Sequence, residues 1–453
     1  MIDAPRRLLI VSPHFPPINA ADMHRVRISL PFFREFGWEP VVLAVEADAV
    51  EGVRDPLLCQ TVPADVLLRS VGALPAAWTR RVGVSSLAVR ALPFLYSAGT
   101  RLILEGGIDL VYFSTTQFLL MPLGRVWKRR HGVPFVIDMQ DLWLAEYHAL
   151  EPQLERLPKR ALMRRLHGIL EPWTMREVDG LIAVSPGYIE ILQSRYPWLE
   201  SRPADVLPFG AAEEDLRVLR SNPQPNRLFR PGDGALHGVY VGRGGSDMAP
   251  ALRIAFGALA RGLHERPDLF EKVHLHFVGT SYATGDRASK SIEPLAAEAG
   301  VSVRVTEHTA RVPYFEALQL LVDADFLFVP GSDDPMYSPS KIYPYVLARR
   351  PLIGAFCAGS PAVEVIRGLK AGEVVEFEVG GGLGSAVMRF QRLWTSLLEG
   401  LHDSPECPEL DRDAFGPYTA REMTRRQCAL FDKVLAEARG ADGVEAMARR
   451  AQA

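Results

Sequence analysis

Residues 326–356 read FLFVPGSDDPMYSPSKIYPYVLARRPLIGAF. The run FLFVP has the length and apolar character of a buried strand, and RPLIGAF closes the stretch as a second one. Between them GSDDPMYS is turn-forming, and residues 339–348 read as a helix with Ser338 as N-cap and Pro339 at the first helical position. Strand, helix and strand in this order make a βαβ unit, so the strands are parallel. Lys341 lies in the first turn, where its charge opposes the helix dipole. An anion held at the same helix end would explain that lysine; a side chain reaching into solvent would not need one. Pro344 lacks an N–H and crowds the carbonyl four residues back, that of Ser340, which predicts a bent first turn with a free carbonyl.

The same alternation continues on both sides. RLLIVS, PVVLAVE, IDLVYFS, PFVIDMQDLW, VDGLIAVS and ADVLPFG are separated by amphipathic helical segments as far as residue 210. Residues 211–235 are polar and rich in Pro, Asn and Gly, which reads as a linker. After it LHGVYVG, KVHLHFVG, VSVRVTE, ADFLFVPG and RPLIGAF restart the pattern. The expected α/β organisation is an N-terminal domain over 1–210, a linker over 211–235, a second domain over 236–405 and a helical segment over 406–453. Both domains are expected to be doubly wound, Rossmann-like parallel sheets facing an interdomain cleft, with ligands at the carboxyl ends of the strands.

A chain of 453 residues is long for one core, and its formal charge of −3 argues against general nucleic-acid binding. The four cysteines are far apart and match no metal spacing, as expected for free thiols in a reducing compartment. The N-terminus runs from MIDAPRR directly into LLIVS, and no apolar run reaches the ~18 residues of a spanning helix. The expected location is the cytosol. Residues 60–170, however, carry fourteen Lys and Arg against eight Asp and Glu, with apolar pieces such as SSLAVRALPFLY. That composition suits either a solvated helical surface or a peripheral contact with the inner face of a membrane.

Several loops carry candidate chemistry. GVYVGRGGSDMAPAL places Gly242, Arg243 and Gly244 between a strand and a helix, where close backbone approach and a guanidinium suit a diphosphate. The dinucleotide fingerprint is not met, because Asp247 holds the third glycine position, and a tight turn with a surface arginine explains the pattern equally. SPHFPPINAADMHR follows the first strand and brings Asp22, His24 and Arg25 to a helix start. DMQDLWLAEYH puts Asp138, Gln140, Asp141, Glu146 and His148 in one loop, a set able to bind sugar hydroxyls or move protons. No His/Cys cluster has zinc spacing.

In order along residues 7–370, these pieces resemble a GT-B glycosyltransferase, most like glycosyltransferase family 4. FPP followed by Arg25 is similar to the family's first loop, and VIDMQDLW to its mid-domain Asp-x-x-Asp-Leu-Trp loop. VDGLIAVSPG, LPFGA, VGRG, HLHFVG, RVPYFEAL with DADFLFVPG, and SPSKIYPYVLARRPLIG then follow in family order. The resemblance implies sugar transfer from a nucleotide-sugar substrate, with no other cofactor, no metal and commonly retained anomeric configuration. It places the donor on the second domain, with Arg243 at the diphosphate, Arg311 near the base, and Gly242, Gly244, Asp334, Ser338, Ser340 and Lys341 around it. A glycan, lipid-linked or small-molecule acceptor would lie on the first domain, with Arg25 orienting a substrate and Asp141 or His148 contacting the acceptor. It also implies that the last helix returns to the first domain.

The sequence departs from the family at several of these positions. Met248 stands where a lysine follows the arginine, and Met336 and Pro344 where two glutamates frame the donor sugar and ribose. Ala20–Ala21 replace the first-loop glycine pair, and Gln140 a basic residue or histidine. A turn opened by Pro344 could supply backbone acceptors in place of a glutamate, with Asp333 or Asp334 taking part of its role. The same departures leave open a non-catalytic glycan- or partner-binding module, and a nucleotide-sugar epimerase on the same fold.

Overall fold

Leu8, Ile10, Val42, Tyr112 and Val136 are buried on one side of a sheet whose other side buries Leu9, Val11, Val41, Val111 and Phe135. Consecutive strand residues point to opposite faces, so such unbroken apolar runs require cover on both. The structure, a computed structural model, describes residues 5–82, 85–144, 158–281, 283, 288–335, 342–403 and 410–451. It divides into two units, residues 1–210 with 420–453, and residues 211–419.

The first unit is a seven-stranded parallel sheet in the order β3-β2-β1-β4-β5-β6-β7. Its strands are β1 (Arg6–Val11), β2 (Trp38–Val45), β3 (Leu67–Val71), β4 (Leu110–Ser114), β5 (Phe135–Met139), β6 (Gly180–Ala183) and β7 (Ala204–Val206). Helices Leu87–Gly106, Pro122–His131 and Pro158–Met175 contribute to the cover of one face. Gly99 and Gly124 allow close packing there: a Cβ at Gly99 would lie 2.5 Å from the Trp127 ring. Helix Leu87–Gly106 is long and apolar enough to cross a membrane by length and composition, contrary to the expectation of no such run. Its Ala88, Ala91, Leu95, Gly99 and Ile103 follow helical spacing and are buried, which makes this face a core face.

Helix His24–Ser29 and the last helix, Ala420–Ala451, cover the opposite face. The Phe431 ring lies 5.5 Å from Trp38 and 5.1 Å from Tyr112, and Asp432 accepts from Arg6 (2.6 Å) and the Trp38 indole N–H (3.0 Å).

The second unit has the order β10-β9-β8-β11-β12-β13, again parallel throughout. Its strands are β8 (Leu236–Val241), β9 (Val273–Val278), β10 (Val305–His308), β11 (Phe326–Pro330), β12 (Leu352–Cys357) and β13 (Gly372–Phe377). Aromatic side chains fill one face, with Phe326, Phe328, Phe390 and Trp394 in edge contacts. Residues 211–235, expected as a linker, hold helix Glu213–Ser221, whose Asp215 accepts from the Tyr314 hydroxyl at 2.7 Å. Its acidic first turn and basic Arg220 match the helix dipole. Helix Ile342–Ala348 puts Pro344 in its first turn, and the Pro344 ring lines a shallow depression with Ala211, Leu216, Tyr314 and Leu347.

On β8 and β9, His237 bridges His276 (Nδ1–Nε2, 3.0 Å) and Asp233 (Nε2–Oδ1, 3.1 Å), and Phe229 stacks on His237 and His276. Burial first, then His237 and His274, push the His276 imidazole down from 6.5 to about 4. Between those values the unfolded chain binds a proton that the folded unit refuses, so stability falls as the pH falls. Acidification from about pH 7 to about pH 4 should therefore cost the second unit about 3 kcal/mol through this group, read as a lower urea midpoint. An unchanged midpoint would show that His276 is not held neutral.

Candidate active site

In each sheet the direction of winding reverses between two central strands, β1 and β4 in the first unit and β8 and β11 in the second. Loops at the carboxyl ends of such strands diverge and leave a crevice for ligands. Polar side chains collect at both places.

In the first unit, Asp22 is buried and accepts from His14 Nδ1 (2.8 Å), the Thr115 hydroxyl (2.9 Å) and the Thr116 N–H (3.1 Å). Burial, the largest influence, pushes its carboxyl up; the bonds from His14, Thr115 and Thr116 outweigh it and hold the group below the usual carboxylate range. Beside it Asp138, at the end of β5, is fully buried against the Arg25 guanidinium, with Nε and Oδ2 2.7 Å apart. The Tyr112 and Ser114 hydroxyls also donate to Asp138, and burial followed by the Asp138 charge pushes the Tyr112 phenol well up. The Gln140 amide joins the two groups, donating to the Asp22 carbonyl (3.1 Å), to Ser114 Oγ (2.8 Å) and to Asp138 (3.0 Å).

In the second unit, Arg243 grips Asp247 with two bonds of 2.9 and 2.6 Å. Burial again pushes Asp247 up and the Arg243 pairing brings it lower, below its ordinary value. The Asp333 N–H donates to the Asp247 carbonyl (2.8 Å), tying the loop after β11 to the loop after β8. Burial, then Asp247, push the Asp333 carboxyl up. Gly242 and Gly244 spend their N–H groups on Val278 and Thr280 carbonyls, extending the pairing of β8 with β9. A Cβ at Gly244 would sit 2.5 Å from Ser291 Oγ, so glycine is needed there for close approach. Tyr345 donates to the Val241 carbonyl (3.1 Å) and accepts from its N–H (2.7 Å), anchoring helix Ile342–Ala348 to the same strand end. Among the described residues, no group of three His, Cys, Asp or Glu side chains could hold a metal ion.

Residues 33–210 match the family described as glycosyl transferase 4-like domain. Comparison with curated protein sequences gives no match. Among solved structures, the chain is similar to sucrose-phosphate synthase from Thermosynechococcus elongatus, at 15% identity and a TM-score of 0.52 over 98% of this chain and 100% of that one. It is similar to Anabaena HepE in complex with UDP-glucose, at 16% identity and 0.52 over 96% and 99%. It is also similar to an E. coli structure described as "Trehalose-6-phosphate from E. coli bound with UDP-2-fluoro glucose", at 11% and 0.57 over 95% and 99%. The chain has the GT-B fold.

On this GT-B frame the residues singled out from sequence fall into three groups. Arg243, Asp334 and Arg311 lie in the loops after β8, β11 and β10, at the carboxyl ends of the second sheet. Asp141 is exposed just beyond β5, its carboxylate accepting from the Leu142 N–H (2.9 Å). Arg25, expected to orient a substrate, is buried instead: besides Asp138 it bonds the carbonyls of Leu207 (2.6 Å) and Pro208 (3.2 Å) and lies over the Phe209 ring. Gly242 and Gly244, expected around the donor diphosphate, give their N–H groups to the Val278 and Thr280 carbonyls. Glu146, His148, Met336, Ser338, Ser340 and Lys341 lie outside the described residues, as does the Ser340 carbonyl expected to be freed by Pro344. Met248, where the resemblance implies a lysine, is fully buried.

Sequence reading passed over His14 and Thr115. The signal was present in SPHFPP, a histidine three residues past the end of β1, but its partner Asp22 lies eight residues on and only the fold shows them paired.

Removing the Arg25 charge leaves Asp138 buried without its counter-ion. Arg25→Met should cost about 3–5 kcal/mol of first-unit stability in urea denaturation. A loss below about 1 kcal/mol, the range of an exposed pair, would return Arg25 to the list of substrate ligands.

Proposed function

We propose that the chain transfers a sugar from a nucleotide-sugar donor to a glycan, lipid-linked or small-molecule acceptor, in the cytosol or at the inner face of a membrane and without a metal ion. The match of residues 33–210 to a glycosyl transferase 4-like domain carries the reading. The loops at the two switch points give it chemistry. The donor diphosphate falls to Arg243, with Arg311 and Asp334 from neighbouring loops and Lys341, Ser338 and Ser340 from the resemblance; the acceptor falls to the first-unit crevice. Two fold neighbours are described with UDP-glucose or UDP-2-fluoro glucose bound, which supports a nucleotide sugar as donor.

As the diphosphate leaves it gathers charge, and a guanidinium aimed at it stabilises that charge more in the transition state than before it. Arg243→Ala should therefore lower kcat/KM by the equivalent of about 2–4 kcal/mol with folding intact. Unchanged turnover would remove Arg243 from the donor site. The bidentate Arg243–Asp247 pair favours a second reading, a non-catalytic module, because a guanidinium already matched by a carboxylate binds a diphosphate less well. Calorimetric titration separates them: nucleotide-sugar binding supports transfer, and no binding of any nucleotide supports the module. An epimerase would change the donor sugar without acceptor, whereas a transferase leaves it stable.

Helix Pro158–Met175 supports the membrane contact. Leu162, Leu166, Ile169 and Trp173 are exposed along one helical stripe, and Arg164 and Arg165 are exposed beside them. Apolar insertion flanked by cations suits an anionic bilayer. Vesicles rich in anionic lipid should sediment the protein in a salt-sensitive way, and replacing Leu162 and Ile169 with serine should weaken it. No sedimentation at low salt would eliminate the contact.

A further inference from the structure

We propose that Asp247 is an internal competitor for the donor diphosphate: its carboxylate fills the face of Arg243 that a phosphate would take, and each nucleotide that binds or leaves exchanges with it. The inference rests on the reading of Arg243 as the diphosphate ligand. Asp247 Oδ1 and Oδ2 accept from Arg243 Nη1 (2.9 Å) and Nη2 (2.6 Å). Arginine grips carboxylate and phosphate with the same planar fork of parallel N–H bonds, so these two N–H bonds cannot serve both anions at once. Both side chains are partly exposed, Arg243 at 25% and Asp247 at 18%, so a ligand can reach the pair from solvent.

The surrounding chain accommodates this pair. A Cβ at Gly245 would lie 2.4 Å from Asp247 Oδ1 and 3.1 Å from Arg243 Nη1, so a side chain there would force the carboxylate to move. Asp247 also has partners that do not depend on Arg243. The buried Ser332 hydroxyl bonds its carboxylate, and the Asp333 N–H donates to its carbonyl at 2.8 Å. It lies in the turn Ser246–Met248 that leads into helix Ala249–Glu265, where the helix dipole favours an acid. A diphosphate that takes Arg243 therefore leaves the Asp247 charge beside other partners and not stranded.

Charge gives the exchange its direction. A nucleoside diphosphate carries more negative charge than one carboxylate, so it displaces Asp247. The carboxylate, tethered four residues from Arg243, is at high local concentration and retakes the guanidinium as the nucleotide departs. When the bond from the sugar to the terminal phosphate breaks, the electron pair stays on the phosphate oxygen, and the product would hold Arg243 more tightly than the donor did. A competing carboxylate offsets that hold and speeds product release.

Calorimetric titration of UDP, GDP, ADP and inorganic pyrophosphate into wild type, Asp247→Asn, Arg243→Ala and the double variant tests the exchange. Melting curves confirm folding, and Asp247→Ser serves as a second variant that keeps an oxygen at the helix start. Both Asp247 variants should bind the tightest of these ligands about 3- to 10-fold better than wild type, the strength of a bidentate, partly exposed ion pair. The gain should vanish when Arg243 is alanine. Equal or weaker binding by both Asp247 variants would overturn the competitor and leave sugar transfer in place. So would an equal gain without Arg243, which is plain charge repulsion. Binding by the Asp247 variants alone would support the inference in its strongest form. No binding of any of the four by wild type or by either Asp247 variant would overturn the inference and the sugar-transfer reading together.

Discussion

A parallel sheet needs cover on both faces, and in the first unit part of one cover comes from the far end of the chain. Helix Ala420–Ala451 lays Met423, Phe431 and Val434 on the face formed by Leu8, Ile10, Trp38, Tyr112 and Ile182. Each such apolar side chain contributes roughly 1.5–3 kcal/mol when fully buried. The fit depends on a missing side chain opposite: a Cβ at Gly180 would lie 2.6 Å from Val434. Residues 1–210 alone would leave this apolar surface bare, so the first unit completes its core only when the last helix is in place.

That packing reaches the crevice through one residue. The Tyr112 ring packs on Phe431 while its hydroxyl donates to Asp138, so the helix from the chain's end steadies the carboxylate that holds Arg25. Arg25 in turn fastens the start of helix His24–Ser29 to the Leu207 and Pro208 carbonyls. A buried ion pair is weak evidence of net stability, since desolvation offsets much of its attraction. What this pair supplies is position: it locks a helix start, a strand end and the chain leaving β7 into one arrangement. The loop bearing His14 and Asp22 runs directly into that helix start.

The alternating strands and helices were legible in the sequence because buried parallel strands are continuous apolar runs, and VYVG, LHFVG and FLFVPG each ended where the structure ends a strand or begins its loop. Less legible were segments whose composition and structure disagree. Glu213–Ser221 is a helix, but the Pro- and Asn-rich residues after it gave the whole of 211–235 the look of a linker. β3 exposes four of its five residues at the sheet edge and shows no buried run. At the site, glycines beside an arginine suggested phosphate contacts, but glycine also serves close packing and strand pairing, and Gly242 and Gly244 do the latter. Arg25 looked like a ligand because sequence shows a charge and not its burial. The His14–Asp22 pair depends on a loop turning back on itself, which no periodicity records.

Gln140 ties the first-unit crevice together where the resemblance implies a basic residue or histidine. A cation at this position, as the resemblance implies, would set a positive charge beside Asp22 and Asp138. Here a neutral amide bridges the two, donating to the Asp22 backbone and not to its carboxylate. The carboxylate of Asp22 is then matched by neutral donors and by His14, and a cation at 140 would compete with the imidazole for its charge. A glutamine where the resemblance implies a cation thus leaves the Asp22 carboxylate to His14 and the loop after β4.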